Sequence, residues 1–230
     1  MVSEVIIVGG GASIKPYIPL LQPLCATKFT ILTNYSYNHF TGTFLAFNDR
    51  DFYKPRPDKD NPDIYEELKK LPLLVGINDC GIEEFKLDNT ILLDKKYSEY
   101  LTGFFAINLA EKLINKGIIY LLGFDWNRRD PKTIVTGKGY NPKSDQDLHY
   151  YGKSIVHRGT GLFGYYENHN PDKEFAEFIK EDIKIYNVSL DSNINCFEKI
   201  SYEQMFNLLN KEIYNQEILR EEIRRKLCTL

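Results

Sequence analysis

Three glycines in a row follow the first apolar run of the chain: Val5–Val8 leads into Gly9, Gly10 and Gly11, and then into Ala12, Ser13, Ile14 and Lys15. Bare backbone at the end of a strand lets a ligand approach closely, and the next helix start offers free N–H donors and a positive dipole end, so the chemistry implied is phosphate binding. The dinucleotide fingerprint G-x-G-x-x-G is incomplete, with Gly9 and Gly11 in place and Ile14 at the third position, so the stretch points to a nucleotide without naming it. Asparagine follows three further apolar runs, as Asn34 in TNYSYN, Asn48 in FNDRD and Asn78 in INDCG, while GFDWN carries Asp125 and Asn127. The asparagine amide both donates and accepts hydrogen bonds, which suits the edge of a base or sugar better than a metal ion. Asparagine is also simply a good turn residue. Thr102 and Gly103 open a helical pattern, where Thr102 is a good N-cap and the pair would present a hydroxyl and free N–H groups to a phosphate or sugar. Among four histidines none has the H-E-x-x-H spacing, but His149 in DLHYYGKS is expected near the sheet's ligand edge, where an imidazole can act as a general base at neutral pH.

These residues need a scaffold that brings strand ends together. Strand-sized apolar runs occur at Val5–Val8, Phe29–Leu32, Thr43–Phe47, Leu73–Ile77, Ile118–Leu122 and Ile183–Val188. Helical patterns alternate with them at Tyr17–Leu24, Pro62–Leu71, Gly103–Lys116 and Asp172–Glu181; the third places Phe104, Ile107, Ala110, Leu113 and Ile114 on one stripe. The alternation predicts an α/β, Rossmann-like, mostly parallel sheet with helices on both faces. A segment rich in Gly, Asn, Lys and Tyr, residues 127–170, reads as a lid-like insert. A last helix is expected over about 202–227, apolar at Phe206, Leu209, Ile213, Leu219, Ile223 and Leu227. The expected organisation is one nucleotide-binding domain over residues 1–230. In a sheet of this kind ligands bind beyond the carboxyl ends of the strands, where all the residues named above would fall.

Composition narrows the function classes. A net charge of −3 with 27% charged residues carries no overall basic field, so nucleic acid is not an expected partner. The four cysteines, Cys25, Cys80, Cys196 and Cys228, form no C-x-x-C pair, which fits a reducing cytoplasm and argues against a zinc site or disulfide framework. The chain starts without a basic n-region, and no apolar run approaches membrane-spanning length, so neither a signal peptide nor a transmembrane segment is expected.

VIIVGGGASIK, Asn34, FLAFND with Asn48, TGFFAINLAEKLINKGIIYLLGFDW and HYYGKS together resemble, in order and spacing, the bacterial lipooligosaccharide sialyltransferases (glycosyltransferase family 42) and the related Rossmann-like proteins of the DUF115 type, over roughly residues 4–193. The resemblance implies a metal-independent, inverting transfer from a nucleotide-activated sugar, a CMP-sugar in that family, to a hydroxyl of an acceptor glycan. By similarity Gly9, Gly11, Ser13, Asn34, Asn48, Thr102 and Gly103 hold the donor, Asn127 and Tyr140 align with the tyrosines that steady the leaving phosphate, and His149 is the base; Gly10, inside the glycine loop, and Asp125, after an apolar run, join the donor-site candidates by their position. No cofactor beyond the donor itself is implied. The pattern departs at Gly10, where the family has asparagine, at Thr102 for serine, at Asn127 for tyrosine, and at Glu99, where the family places an arginine facing an acidic acceptor. Three other readings stay open. Asp49 and Asp51 in DRD match the D-x-D of metal-dependent transferases, although DKD and DQD also occur in this chain. A diphosphokinase-like ATP enzyme is known in the DUF115-type group. A non-catalytic nucleotide sensor, a homo-oligomer dimerising through its last helix, is the third.

Overall fold

The computed structural model describes residues 2–48, 64–78, 86–99, 101–126 and 170–230. The expected insert, with Asn127, Tyr140 and His149, and the DRD acids lie outside the described residues. Eight strands form one sheet in which every pairing is parallel: β1 (Glu4–Val8), β2 (Thr30–Thr33), β3 (Phe44–Phe47), β4 (Leu74–Ile77), β5 (Thr90–Leu93), β6 (Gly117–Leu122), β7 (Ile183–Asn187) and β8 (Glu198–Lys199), in the spatial order β5-β4-β3-β2-β1-β6-β7-β8. The chain walks outward from β1 through β5 and then returns to the other side of β1 as β6. The topological switch point therefore lies between β1 and β6, where a doubly wound sheet opens a crevice at its carboxyl edge.

The apolar runs are nearly continuous because both faces of the sheet are covered. Val5 and Ile7 face one core while Ile6 and Val8 face the other, following the two-residue period of a strand. The first core is closed by α3 (Thr102–Ile114), by Phe175 of the short α4 (Pro171–Phe175), and by Leu219, Ile223 and Leu227 of α6 (Gln216–Leu227). The second is closed by Leu21 and Cys25 of α1 (Ile18–Thr27), Leu68 of α2 (Ile64–Leu68), and Tyr202 and Met205 of α5 (Tyr202–Leu208). Helix α3 buries more than the expected stripe: Phe105, Ala106, Leu109 and even Glu111 are also covered, because α6 and the α4 region pack over its outer side. Burial pushes the Glu111 carboxyl above the usual carboxylate range, against the pull of its ion-pair partner Lys180.

Several elements differ from the expectations. The single last helix is two helices, and Ile213 between them is 75% exposed. The non-helical segment between them is held by Lys28, whose ammonium donates to the carbonyls of Asn210, at 2.6 Å, and Glu212. Asn215 then caps the new start, accepting from the N–H groups of Glu217 and Ile218. The expected Asp172–Glu181 helix is the five-residue α4 followed by a 3₁₀ turn at Ala176–Phe178. Strands β5 and β8 were not expected: β5 is a short edge strand, and β8 is two charged residues without an apolar signal. Helix α6 is bound to the opposite edge of the sheet from the switch point. Arg220 donates to the carbonyls of Thr43 at 2.9 Å and Gly42 at 3.2 Å, and Gln216 donates to that of Lys28 at 3.1 Å, all just ahead of strands β2 and β3. Among the described residues no helix is long and apolar enough to cross a membrane.

Candidate functional site

The glycine loop follows β1 at the switch point, and its own chain occupies it. Gly9 N–H donates to the Leu122 carbonyl at 2.7 Å and Gly11 N–H to the Gly123 carbonyl at 2.8 Å, sewing the loop to the turn after β6. The Ser13 N–H donates to Asp125 Oδ2 at 2.8 Å, and the Ser13 hydroxyl donates to the other carboxylate oxygen. Asp125 is 5% exposed, so an internal carboxylate caps the 3₁₀ turn Ala12–Tyr17 where a phosphate would otherwise be expected. A Cβ on Gly11 would stand 2.4 Å from Asp125 Oδ2 and 2.6 Å from the Gly123 carbonyl oxygen. The bare backbone at Gly11 thus has an internal cause, the close approach of β6's turn. Behind the loop, Tyr17 and Tyr202 stack with ring centroids 3.8 Å apart. Burial, with the Asp125 carboxylate close by, pushes the Tyr202 phenol far above its ordinary value and keeps it a neutral hydroxyl.

Asn34 stands at the end of β2 in a left-handed backbone conformation, φ 49, where asparagine is tolerated but uncommon. Its neighbour Thr33 is locked by a capping box with Ser36 and donates to the Val8 carbonyl at 2.8 Å, so the backbone at Asn34 is held from both sides. The half-buried Asn34 amide makes no hydrogen bond within the described residues. Asn48, at the end of β3, is by contrast committed: its amide donates to the Glu99 carbonyl and accepts from the Glu99 N–H at 3.3 Å, imitating a backbone pair. Asn48 thereby positions the segment entering α3. Glu99 is pinned in turn by Asn108 of α3, whose amide donates to its carboxylate at 2.6 Å.

The start of α3 differs from the expected cap. Leu101, not Thr102, is the N-cap residue, and it offers no side-chain hydrogen bond. An apolar cap leaves the first-turn N–H groups to other partners. Thr102 is the first helical residue, only 9% exposed, and its hydroxyl has no hydrogen bond within the described residues. A Cβ on Gly103 would meet the Phe124 ring at 2.9 Å, so this uncapped helix start lies against the turn after β6.

That turn, Gly123–Trp126, is itself built from unusual backbone. Gly123 (φ 68) and Trp126 (φ 46) are both left-handed. The segment after β7 braces it: Asn187 and Ser192 donate to the Phe124 carbonyl at 3.1 and 2.8 Å, and Asn193 donates through its backbone to Asp125 O at 2.9 Å and through its side chain to Trp126 O at 3.0 Å. Sequence reasoning missed this brace; its trace is the NVSLDSN stretch of polar residues directly after an apolar run. The structure thus gathers Gly9–Ser13, Asn34, Thr102, Gly103 and Asp125 around the ends of β1, β2 and β6, with Asn48 one strand further out. Among the described residues there is no cluster of metal-ligating side chains.

No family model matches this sequence, and no curated protein matches it. Among solved structures the chain is similar to the MAf glycosyltransferase from Magnetospirillum magneticum AMB-1, with a TM-score of 0.55 and 14% sequence identity, over 97% of this chain and 37% of that one. The chain therefore spans little more than a third of the neighbour's length. At this identity the likeness is one of fold alone.

Proposed function

We propose that this chain transfers a sugar from a nucleotide donor to a hydroxyl acceptor, with the donor seated at the carboxyl edge around β1. The observation that carries the reading is a pair of polar groups at the carboxyl edge, the Asn34 amide and the Thr102 hydroxyl, that have no hydrogen-bond partner among the described residues. The left-handed Asn34 offers its amide for a base or ribose edge, and the α3 start, which has no side-chain cap among the described residues, offers N–H groups, a helix dipole and the Thr102 hydroxyl for a phosphate. The Gly11 and Ser13 amides are already engaged, so the glycine loop is assigned the role of a wall shaped by Asp125, and the phosphate seat is assigned to Thr102–Gly103. The likeness to a glycosyltransferase supports the reaction class, and the sequence resemblance supports the finer features: a CMP-sugar, no metal, inversion and His149.

In that mechanism the acceptor oxygen attacks the anomeric carbon as the bond to the donor phosphate breaks, and His149 takes the acceptor's proton. The departing phosphate develops negative charge, which the α3 dipole and Thr102 would stabilise beside Asn127 and Tyr140. The test is a thermal-shift panel of CMP, CDP, UDP, GDP, ADP and ATP, followed by donor-consumption assays. A nucleotide at 100 times its Kd should stabilise by about 2.7 kcal/mol, a rise of roughly 5–10 °C for a chain of this size. His149→Ala should lower turnover by about 10²–10⁴-fold with nucleotide affinity unchanged. Absence of any nucleotide shift refutes the reading. A shift by ATP alone favours the diphosphokinase-like alternative, and binding without donor consumption favours the sensor.

A further inference from the structure

The carbonyl oxygen of Phe124 is saturated from inside the fold. Asn187, the fully buried last residue of β7, donates through Nδ2 to that carbonyl at 3.1 Å and to the Ser192 hydroxyl at 2.8 Å. The Ser192 hydroxyl donates to the same carbonyl at 2.8 Å and accepts from the Ile194 N–H at 3.1 Å. Both lone pairs of the carbonyl, both amide hydrogens and the whole hydroxyl are thereby used. One atom is left out: Asn187 Oδ1 is buried and has no hydrogen-bond partner among the described residues. An unmet buried acceptor is destabilising, so what this orientation of Asn187 secures is the placement of Phe124.

Phe124 touches the candidate site with its side chain. A Cβ on Gly103 would come within 2.9 Å of its ring and a Cβ on Gly9 within 3.0 Å, so one ring stands against both the α3 start and the glycine loop. Its chain neighbours complete the contact, since the Gly123 carbonyl accepts from Gly11 and the Asp125 carboxylate from Ser13. Asn34 is held by a different set of groups. The Thr33 N–H donates to Ser36 Oγ at 3.0 Å, the Thr33 hydroxyl donates to the Val8 carbonyl at 2.8 Å, and both side chains are buried. The two braces have no residue in common: one is built on the end of β2, the other on the chain after β6 and β7. Groups that share no partner contribute additively.

We infer that Ser192 and Asn187 are positioning residues for the phosphate half of the donor site, and that Thr33 and Ser36 separately position its base half, an inference that rests on the donor reading above. Releasing the Phe124 carbonyl lets the ring shift against Gly103, and Asn34 is not in that chain of contacts. The experiment measures calorimetric affinity of wild type for CMP, UMP, GMP and AMP, and then, by competition, for the nucleoside of whichever binds. Ser192→Ala and Ser36→Ala are measured in the same way, with melting temperatures alongside. Ser192→Ala should weaken the nucleotide roughly five- to tenfold while the nucleoside stays within about twofold. Ser36→Ala should weaken nucleotide and nucleoside by the same factor, so that their ratio holds. A role in stability alone lowers the melting temperature and leaves that ratio unchanged in both variants. Ser192→Ala weakening nucleotide and nucleoside alike, or neither, overturns the inference and leaves the donor reading standing. The Ser36→Ala ratio is an independent arm: a change in it of more than about twofold overturns the inference even where Ser192→Ala does not fold. A nucleoside that fails to compete on wild type also overturns it, because the base half then has no binding of its own. If no nucleotide binds wild type, both readings fall together.

Discussion

Replacing Gly11 with alanine tests the internal lock at the switch point. The added methyl would sit 2.4 Å from the Asp125 carboxylate and 2.6 Å from the Gly123 carbonyl oxygen, so the loop and the turn after β6 must separate. The backbone at Gly11 is ordinary, φ −66 and ψ 149, so the penalty is one of contact and not of torsion. Separation weakens the Gly11–Gly123 hydrogen bond, worth about 1 kcal/mol, and the charge-assisted Ser13–Asp125 pair, worth about 1.5–3 kcal/mol. Overpacking adds about 1–3 kcal/mol if the loop yields only in part, and the stiffer unfolded chain returns about 0.4–1 kcal/mol. These terms overlap, since a loop that moves relieves the clash, and we expect a net loss of about 2–4 kcal/mol. For a chain of this length that is a fall in Tm of about 5–15 °C, read by calorimetry without any ligand. Asp125→Ala beside Gly11→Ala should be less than additive, because removing the carboxylate clears the nearer obstacle. A Gly11→Ala protein melting within about 2 °C of wild type would show that the loop is not closed on Asp125, and the glycine would revert to serving a ligand.

Three further outcomes follow from other contacts. Lys28→Met leaves the carbonyls of Asn210 and Glu212 without their donor and should destabilise by about 1–3 kcal/mol, with hydrogen exchange rising first at the Tyr214 amide, which donates to Thr27. Burial is the largest single influence on Asp172 and raises its pKa, but hydrogen bonds from Asn195 and Cys196, with the Lys199 charge nearby, together outweigh it and hold the carboxyl below its ordinary 3.8. A depressed folded pKa contributes stability above pH 3.8 that is lost as pH falls through the folded value, so Asp172→Asn should melt below wild type at pH 7 and converge with it in acid. Because Asn48 closes β3 and is committed to Glu99, donor turnover should survive EDTA, measured as product formed with and without added Mn²⁺; loss on chelation would move Asp49 and Asp51 into the site as ligands.

The local pattern was enough for the layers of this protein. Six apolar runs alternating with helical patterns specify a parallel sheet covered on both faces, since only a strand buried on both sides reads as unbroken Val, Ile and Leu. The same pattern placed Gly9, Asn34 and Asp125 after strands, and hence at the ligand edge. What each polar residue does there was decided by neighbours distant in sequence. Gly11 is bare because Asp125 arrives from more than a hundred positions away, and Asn48 is occupied because Glu99 is laid beside it. Thr102 loses the cap position to Leu101. The segment that divides the expected last helix is held by Lys28, from just ahead of β2. Hydrophobic periodicity is a local property carried by the chain itself; a hydrogen bond has a partner, and only the folded sheet chooses which partner comes within 3 Å.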